Sequence, residues 1–154
     1  MSYLNVHPDN SAQNEKFHQG TWGIFVAPSD SLLAGKNCLV LDDEFLIALD
    51  IQELLEAAGA AKVICVSDEA GALAALDNGP RFDLAVLDVI LSGAAQNSLR
   101  VATALATQKI PFVFLTGVSG EDILTRNFPA APVFEKPYQA PFLLETVLRA
   151  LRTR

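Results

Sequence analysis

Five polar residues stand at the ends of short apolar runs, and their side chains could together bind a cation and a phosphoryl group. Asp42 and Asp43 follow one run, and Asp88 follows another. Two later runs lead directly into Thr116 and, after one further residue, into Lys136. Carboxylates about 4 Å apart repel by ~4 kcal/mol at an effective dielectric of about 20, so three of them in a cluster require a counter-charge. These residue types predict a divalent cation site with a hydroxyl and an ammonium beside it.

The oxygen ligands favour Mg²⁺, or Mn²⁺, because hard divalent cations prefer carboxylates and water, whereas the sequence has no Cys/His set for Zn²⁺. A carboxylate beside Mg²⁺ can attack phosphorus and form an acyl phosphate. The added negative charge then needs hydrogen-bond donors, which Thr116 and Lys136 provide. The sequence therefore predicts phosphoryl chemistry, and Gly117 leaves the approach to Thr116 uncluttered.

The elements that must position these residues alternate between strand and helix. Each of five apolar runs is followed by a stretch with helical periodicity; the runs are CLVL, KVICV, FDLAVL, PFVFL and PVF. Because the runs are almost continuously apolar and do not alternate, both faces of each strand should be buried, as in a parallel sheet covered by helices. We therefore predict an α/β fold, a doubly wound three-layer sandwich. Ser67 or Asp68 should cap the second helix, and Asp43 or Glu44 the first.

All five polar residues fall where such a fold binds its ligands, at the carboxyl ends of the strands. Taken singly, each has a plain structural explanation, since an aspartate after a strand often caps a helix or forms a turn. A lysine before a proline is usually surface charge. Their joint placement at the ends of strands one, three, four and five favours a functional site.

Four stretches resemble, in order and spacing, the receiver domain of bacterial two-component response regulators: LVLDDE at 39–44, LAVLDVIL at 84–91, FVFLTG at 112–117 and FEKPY at 134–138. The resemblance covers residues 37–153. It implies a flavodoxin-like fold whose five-stranded parallel sheet has the order 2-1-3-4-5.

The resemblance also implies a role for each polar residue. Asp88 would be the phosphoacceptor, and Thr116 and Lys136 would contact the phosphoryl group. The phosphoryl group would come from a histidine kinase or a histidine phosphotransferase, and the protein would signal to a downstream protein partner. It would not be an enzyme beyond catalysing its own phosphorylation and dephosphorylation. The implied metal ligands are Asp42, Asp43, Asp88 and the backbone carbonyl of Ile90.

Several positions depart from the pattern of this family. Ser92 replaces a frequent proline, and Val133 stands where many members carry the tyrosine or phenylalanine that swings inward on activation. Phe134 is adjacent, but strand alternation should direct it to the other face. Ile90 and Val118 occupy two positions that tune hydrolysis of the phosphorylated form, and both are apolar. We therefore expect a long-lived phosphorylated state.

Length and composition limit the other functions. With 154 residues, the chain has room for one domain with a hydrophobic core. We divide it into an N-terminal extension, partly disordered, at 1–35 and a receiver domain at 36–154. A net charge of −7 without a basic cluster argues against nucleic acid, and the apolar runs are too short to span a membrane. Without a signal peptide, the expected location is cytoplasmic.

Alternative interpretations concern the larger protein and the chemistry. The chain could be the C-terminal receiver of a hybrid histidine kinase, because GTWGIFVAP at 20–28 faintly resembles the last strand of a kinase ATPase domain. A magnesium-dependent phosphatase of the haloacid dehalogenase type also uses a strand-end aspartate. That class needs a second aspartate two residues later, where this sequence has Ile90. The apolar first and last helices leave room for a homodimer, although packing on the core is the simpler explanation.

Overall fold

A computed structural model describes residues 31–90, 98–117 and 121–152, and within them strands and helices alternate as the sequence predicts. In chain order, the elements are β1 (Asn37–Leu41), α1 (Phe45–Ala57), β2 (Lys62–Val66), α2 (Glu69–Asn78), β3 (Leu84–Asp88), α3 (Leu99–Thr107), β4 (Phe112–Thr116), α4 (Glu121–Asn127), β5 (Val133–Glu135) and α5 (Ala140–Arg152). No helix among the described residues is long and apolar enough to cross a membrane.

The five strands form one parallel sheet in the order β2-β1-β3-β4-β5. This order confirms the predicted flavodoxin-like, doubly wound fold. The central strand β3 pairs on one side with β1, where Leu87 is opposite Leu41, and on the other with β4, where Asp88 is opposite Leu115. Because all strands run the same way, their carboxyl ends meet at one edge of the sheet. We call this edge the carboxyl edge, and the opposite one the amino edge.

Each face of the sheet has its own hydrophobic core, because side chains alternate between the faces along a strand. In β1, Cys38 and Val40 pack into the core beneath α1 and α5. Leu39 packs into the other core, which includes residues of α2, α3 and α4. Val133 and Phe134 of β5 divide in the same way, and Phe134 packs on the α1 and α5 side. The prediction that Phe134 faces away from Val133 is confirmed.

Helix capping follows the sequence at α2 but not at α1. The Asp68 carboxylate accepts a hydrogen bond of 2.6 Å from the Gly71 amide, as an N-cap should. Asp43 or Glu44 was the predicted cap of α1, and Glu44 holds the N-cap position but makes no side-chain capping hydrogen bond. Its backbone amide instead donates to the Asp42 carboxylate at 2.9 Å. The Asp42 side chain thus binds the backbone at the start of α1 from the carboxyl edge.

The described chain is already attached to the fold before β1 begins. The Leu33 side chain is fully buried in the α1 and α5 core. Its amide donates to the carbonyl of Ala58 at 2.9 Å, and Ala34 forms an antiparallel bridge with Ala60. The domain boundary after residue 35 stays a prediction, but Leu33, which lies before it, is part of the core.

Candidate phosphoryl and metal site

Four strands deliver the predicted site residues to the carboxyl edge. Asp42 follows β1 directly, Asp88 is the last residue of β3, and Thr116 is the last residue of β4. Lys136 follows β5, and its amide donates to the Thr116 carbonyl at 2.7 Å, which extends the pairing of β4 with β5 by one step. Burial fixes the position of the apolar strands. The polar residues that follow them are therefore held at the carboxyl edge.

The Lys136 ammonium lies between two aspartates that are far apart in sequence. It donates to Asp42 Oδ2 at 2.8 Å and to Asp88 Oδ2 at 3.0 Å. It also lies 3.5 Å from Glu44 Oε1, whose side chain is mostly exposed. Asp42 and Asp88 are nearly buried, with side chains 1% and 5% exposed. One cation thus links two buried carboxylates and one exposed carboxylate.

The three predicted acidic ligands form one cluster. Asp42, Asp43 and Asp88 each offer a carboxylate oxygen, and these oxygens all lie within 4.8 Å of one another. Oxygen donors alone, with no imidazole or thiolate among them, suit a hard cation such as Mg²⁺ or Mn²⁺. The residues present therefore fit the predicted metal.

Burial disfavours the charged forms of Asp88 and Lys136, whereas the hydrogen bond between them favours these forms. Burial raises the pKa of Asp88, and the hydrogen bond from Lys136 offsets this only in part. Burial would lower the pKa of Lys136, but its hydrogen bonds to Asp42 and Asp88 outweigh that effect, so its pKa is raised. The lysine therefore stays charged at neutral pH, whereas the Asp88 carboxylate is the group whose ionisation is disfavoured. A divalent cation beside it would favour the ionised form.

Backbone contacts hold the two aspartates in place. Asp42 accepts the Glu44 amide through Oδ1, and Asp88 accepts the Ile90 amide through Oδ1 at 3.2 Å. In both, the other oxygen, Oδ2, is the one that Lys136 contacts. Each carboxylate is thus oriented by a local turn and a distant lysine.

Two of the remaining predicted residues lie in the described part of the chain. Thr116 is 1% exposed, and Ile90 is 55% exposed at the end of a described stretch. Ser92 and Val118 lie outside the described residues. The sequence interpretation did not include Glu44 in the site, although Glu44 directly follows the two aspartates and lies near Lys136. Its place in a run of three acidic residues was the available signal.

The sequence matches no family profile and no curated protein, whereas the fold matches solved structures closely. It is similar to a response regulator receiver protein from Sinorhizobium medicae WSM419, with a TM-score of 0.70 and 26% identity over 77% of this chain and 96% of that chain. SdrG from Sphingomonas melonis Fr1 is 35% identical, with a TM-score of 0.61 over 78% of this chain and 97% of that one. The receiver domain of NtrX from Brucella abortus is 29% identical, with a TM-score of 0.65 over 76% and 99%.

Proposed function

Because the chain belongs to the response regulator receiver domains, we propose that it is a phosphoacceptor whose Asp88 takes a phosphoryl group from a histidine kinase or a histidine phosphotransferase. The phosphorylated domain then changes its contacts with a downstream protein. It acts as a signalling protein and catalyses only its own phosphorylation and dephosphorylation. We place it in the cytoplasm, where such kinases present their phosphohistidine. The proposal does not depend on whether the receiver acts alone or within a larger protein.

The single observation that carries the proposal is the contact of Lys136 with both Asp42 and Asp88. A lysine that only balanced surface charge would not be held by two buried carboxylates from different strands. Held there, its ammonium is in reach of any group that is attached to an Asp88 oxygen. This is the placement that a charge-stabilising donor for a phosphoryl group requires.

In the proposed reaction, one carboxylate oxygen of Asp88 attacks phosphorus in line with the bond to the donor histidine. The new oxygen–phosphorus bond forms as the nitrogen–phosphorus bond breaks, and the histidine nitrogen keeps the bonding electrons. Lys136 then pairs with a phosphoryl oxygen, and the Thr116 hydroxyl donates to another. Asp42, Asp43 and Asp88, together with the Ile90 carbonyl, would hold the Mg²⁺ or Mn²⁺. When bound, the cation supplies positive charge to the carboxylates and to the phosphoryl oxygens.

The test is phosphorylation with acetyl phosphate and Mg²⁺, followed by intact mass spectrometry. The parent protein should gain one phosphoryl group, and Asp88→Asn should gain none because the nucleophilic oxygen is lost. Asp77→Asn, the same exchange at an exposed position of α2, serves as the matched control and should behave like the parent. Phosphate on another residue of the folded Asp88→Asn protein would show that the assignment of the acceptor is wrong.

A further inference from the structure

A cavity of about 740 Å³ opens at the amino edge of the sheet, away from the acidic site. It lies between the start of β4 and the ends of α3 and α4, and Ala150 near the end of α5 contributes to it. Its size falls within the range of about 300–1,000 Å³ that is typical of ligand pockets. None of the groups proposed for phosphoryl transfer lines it. The cavity therefore needs an explanation of its own.

The wall of the cavity is mainly apolar, with two aromatic rings, and its polar members are Arg81, Gln108, Lys109 and Asn127. Phe112 and Phe128 meet edge to face, with ring centroids 5.6 Å apart and an interplanar angle of 77°. Both residues line the cavity, as do the small side chains of Ala106 and Ala130. Aromatic edges and faces arranged in this way readily accept a further ring. The surface thus suits an apolar segment that carries aromatic side chains.

The described part of the chain begins at the same edge of the sheet. Leu33, two residues after its start, belongs to the same core as Ala150, on the sheet face opposite the core that contains Phe112 and Phe128. At the start of β1, the Asn37 side-chain amide donates to the carbonyl of Arg81, a lining residue, at 3.0 Å. The chain that precedes Ser31 therefore emerges at the amino edge, not at the acidic site.

The thirty residues before this point contain one segment with the required chemistry. TWGIFV at 21–26 lies in an otherwise mainly polar stretch and holds Trp22, Ile24 and Phe25. Ser31 lies against Gly59, in the connection between α1 and β2. From β2 to β4, three strand spacings of ~4.8 Å amount to about 14 Å. The six residue steps from Ser31 back to Phe25 span up to about 20 Å when extended. This covers the lateral distance and leaves about 6 Å for the chain to pass around the amino edge to the other face.

We propose that residues 21–26 of the same chain occupy this cavity, with aromatic rings against Phe112 and Phe128. The occupant is intramolecular because its attachment point lies at the same edge and within reach. A covalently linked segment also has a high effective concentration at the site, which a separate partner lacks. The inference is independent of the phosphoryl chemistry, since it uses no residue of the acidic site.

The experiment uses the full-length protein, in which Trp22 is the single tryptophan and its fluorescence reports on this segment alone. In the native protein, the emission maximum should lie at shorter wavelength than in the same chain unfolded in guanidinium chloride. Quenching by iodide should be severalfold weaker. Ala106→Glu, which places a charge at the cavity, should shift the emission to longer wavelength and increase quenching. The matched control is Ala74→Glu, an exposed alanine of α2 that does not line the cavity, and it should leave both unchanged.

Circular dichroism verifies that each variant is folded. If Ala106→Glu does not fold, Ala130→Glu places the charge on a different wall of the cavity. Native Trp22 emission equal to that of the unfolded chain would overturn the proposal. The proposal would also be overturned if Trp22 emission stayed at short wavelength in both folded cavity variants, because the indole ring would then be buried elsewhere. A shift that disappears on dilution, together with a dimer in analytical ultracentrifugation, would assign the occupant to a second copy and would also overturn it.

Discussion

At the scale of the residue, the site depends on one largely buried lysine, Lys136, that contacts two aspartates. The contacts of 2.8 Å and 3.0 Å connect residues 94 and 48 positions apart. The residue types and their strand-end positions are visible in the sequence, since a parallel sheet must gather strand ends at one edge. The side-chain contacts are not, because they depend on torsion angles that no periodicity encodes. The sequence accordingly predicted Lys136 beside a phosphoryl group but not its contact with Asp42.

The raised pKa of Asp88 leads to a prediction about stability. A group whose pKa is raised by folding stabilises the protein below its unfolded pKa, and this contribution is lost as the pH rises through the folded value. In EDTA at neutral pH, Asp88→Asn should therefore melt at a higher temperature than the parent. At about pH 4, near the ordinary pKa of an aspartate, the difference in melting temperature between the two proteins should become smaller. Scanning calorimetry at both pH values measures this, and an equal difference at both would contradict it.

The exposed apolar side chain of Ile90 supports the prediction of slow dephosphorylation. No polar group at this position holds a water against the phosphoryl group, and Val118 supplies none at the second position. Ile90→Asn and Val118→Glu should each speed the decay, by less than the ~10²- to 10⁴-fold that full general-base assistance gives.

The decay is measured after removal of the phosphoryl donor at saturating Mg²⁺. Leu32→Asn, which exchanges an exposed apolar residue near the amino edge, is the control for added polarity away from the acceptor. If the parent decays as fast as the Ile90 and Val118 variants, the two apolar side chains have no influence on the lifetime.

At the scale of the element, the sequence predicts strands well where several consecutive residues are buried. It predicts poorly the burial of a single residue in a connection. β3 and β4 are buried along their whole length, so their apolar runs predict both strands. The helical segment expected from residue 90 has its described helix α3 only from Leu99, and 91–97 lie outside the described residues. Leu33 was assigned to the extension because a connection of a few residues has no period from which its burial could be predicted.

The burial of Leu33 gives a prediction with a neighbouring control. Leu33→Ala should lower the free energy of unfolding by about 2–5 kcal/mol, the usual cost of truncating a buried leucine. Leu32 is 48% exposed, and Leu32→Ala should change it by less than about 1 kcal/mol. Urea denaturation compares the two variants. Equal effects would mean that Leu33 does not anchor the chain to the core.

At the scale of the whole molecule, an exposed apolar surface lies beside the acidic site. Phe45 and Leu46 at the start of α1 are 74% and 72% exposed. They directly follow Glu44, whose carboxylate approaches Lys136. Large apolar side chains exposed next to a reactive group are typical of a surface that docks a protein. We therefore predict that this surface contacts the protein that donates the phosphoryl group.

Comparing a protein donor with a small-molecule donor distinguishes an effect on docking from an effect on the phosphorylation reaction. Phe45→Ser combined with Leu46→Ser should slow phosphorylation by the cognate kinase at least about tenfold, because truncating an interface hot spot costs about 2 kcal/mol. Phosphorylation by acetyl phosphate, which touches no surface of α1, should change little. Phe142→Ser, the same kind of change on α5, is the control. A parallel loss with both donors would locate the defect in the acidic site.

Lys136 also has a consequence for how the protein depends on its ionic surroundings. A mobile cation leaves when its concentration falls, whereas an ammonium on a side chain stays where the backbone holds it. The carboxyl edge therefore keeps a permanent internal counter-ion, and the fold should survive magnesium starvation even though phosphorylation stops. On the proposed mechanism, magnesium controls whether the protein can receive a signal, whereas the fold should persist without the cation and gain stability when it binds.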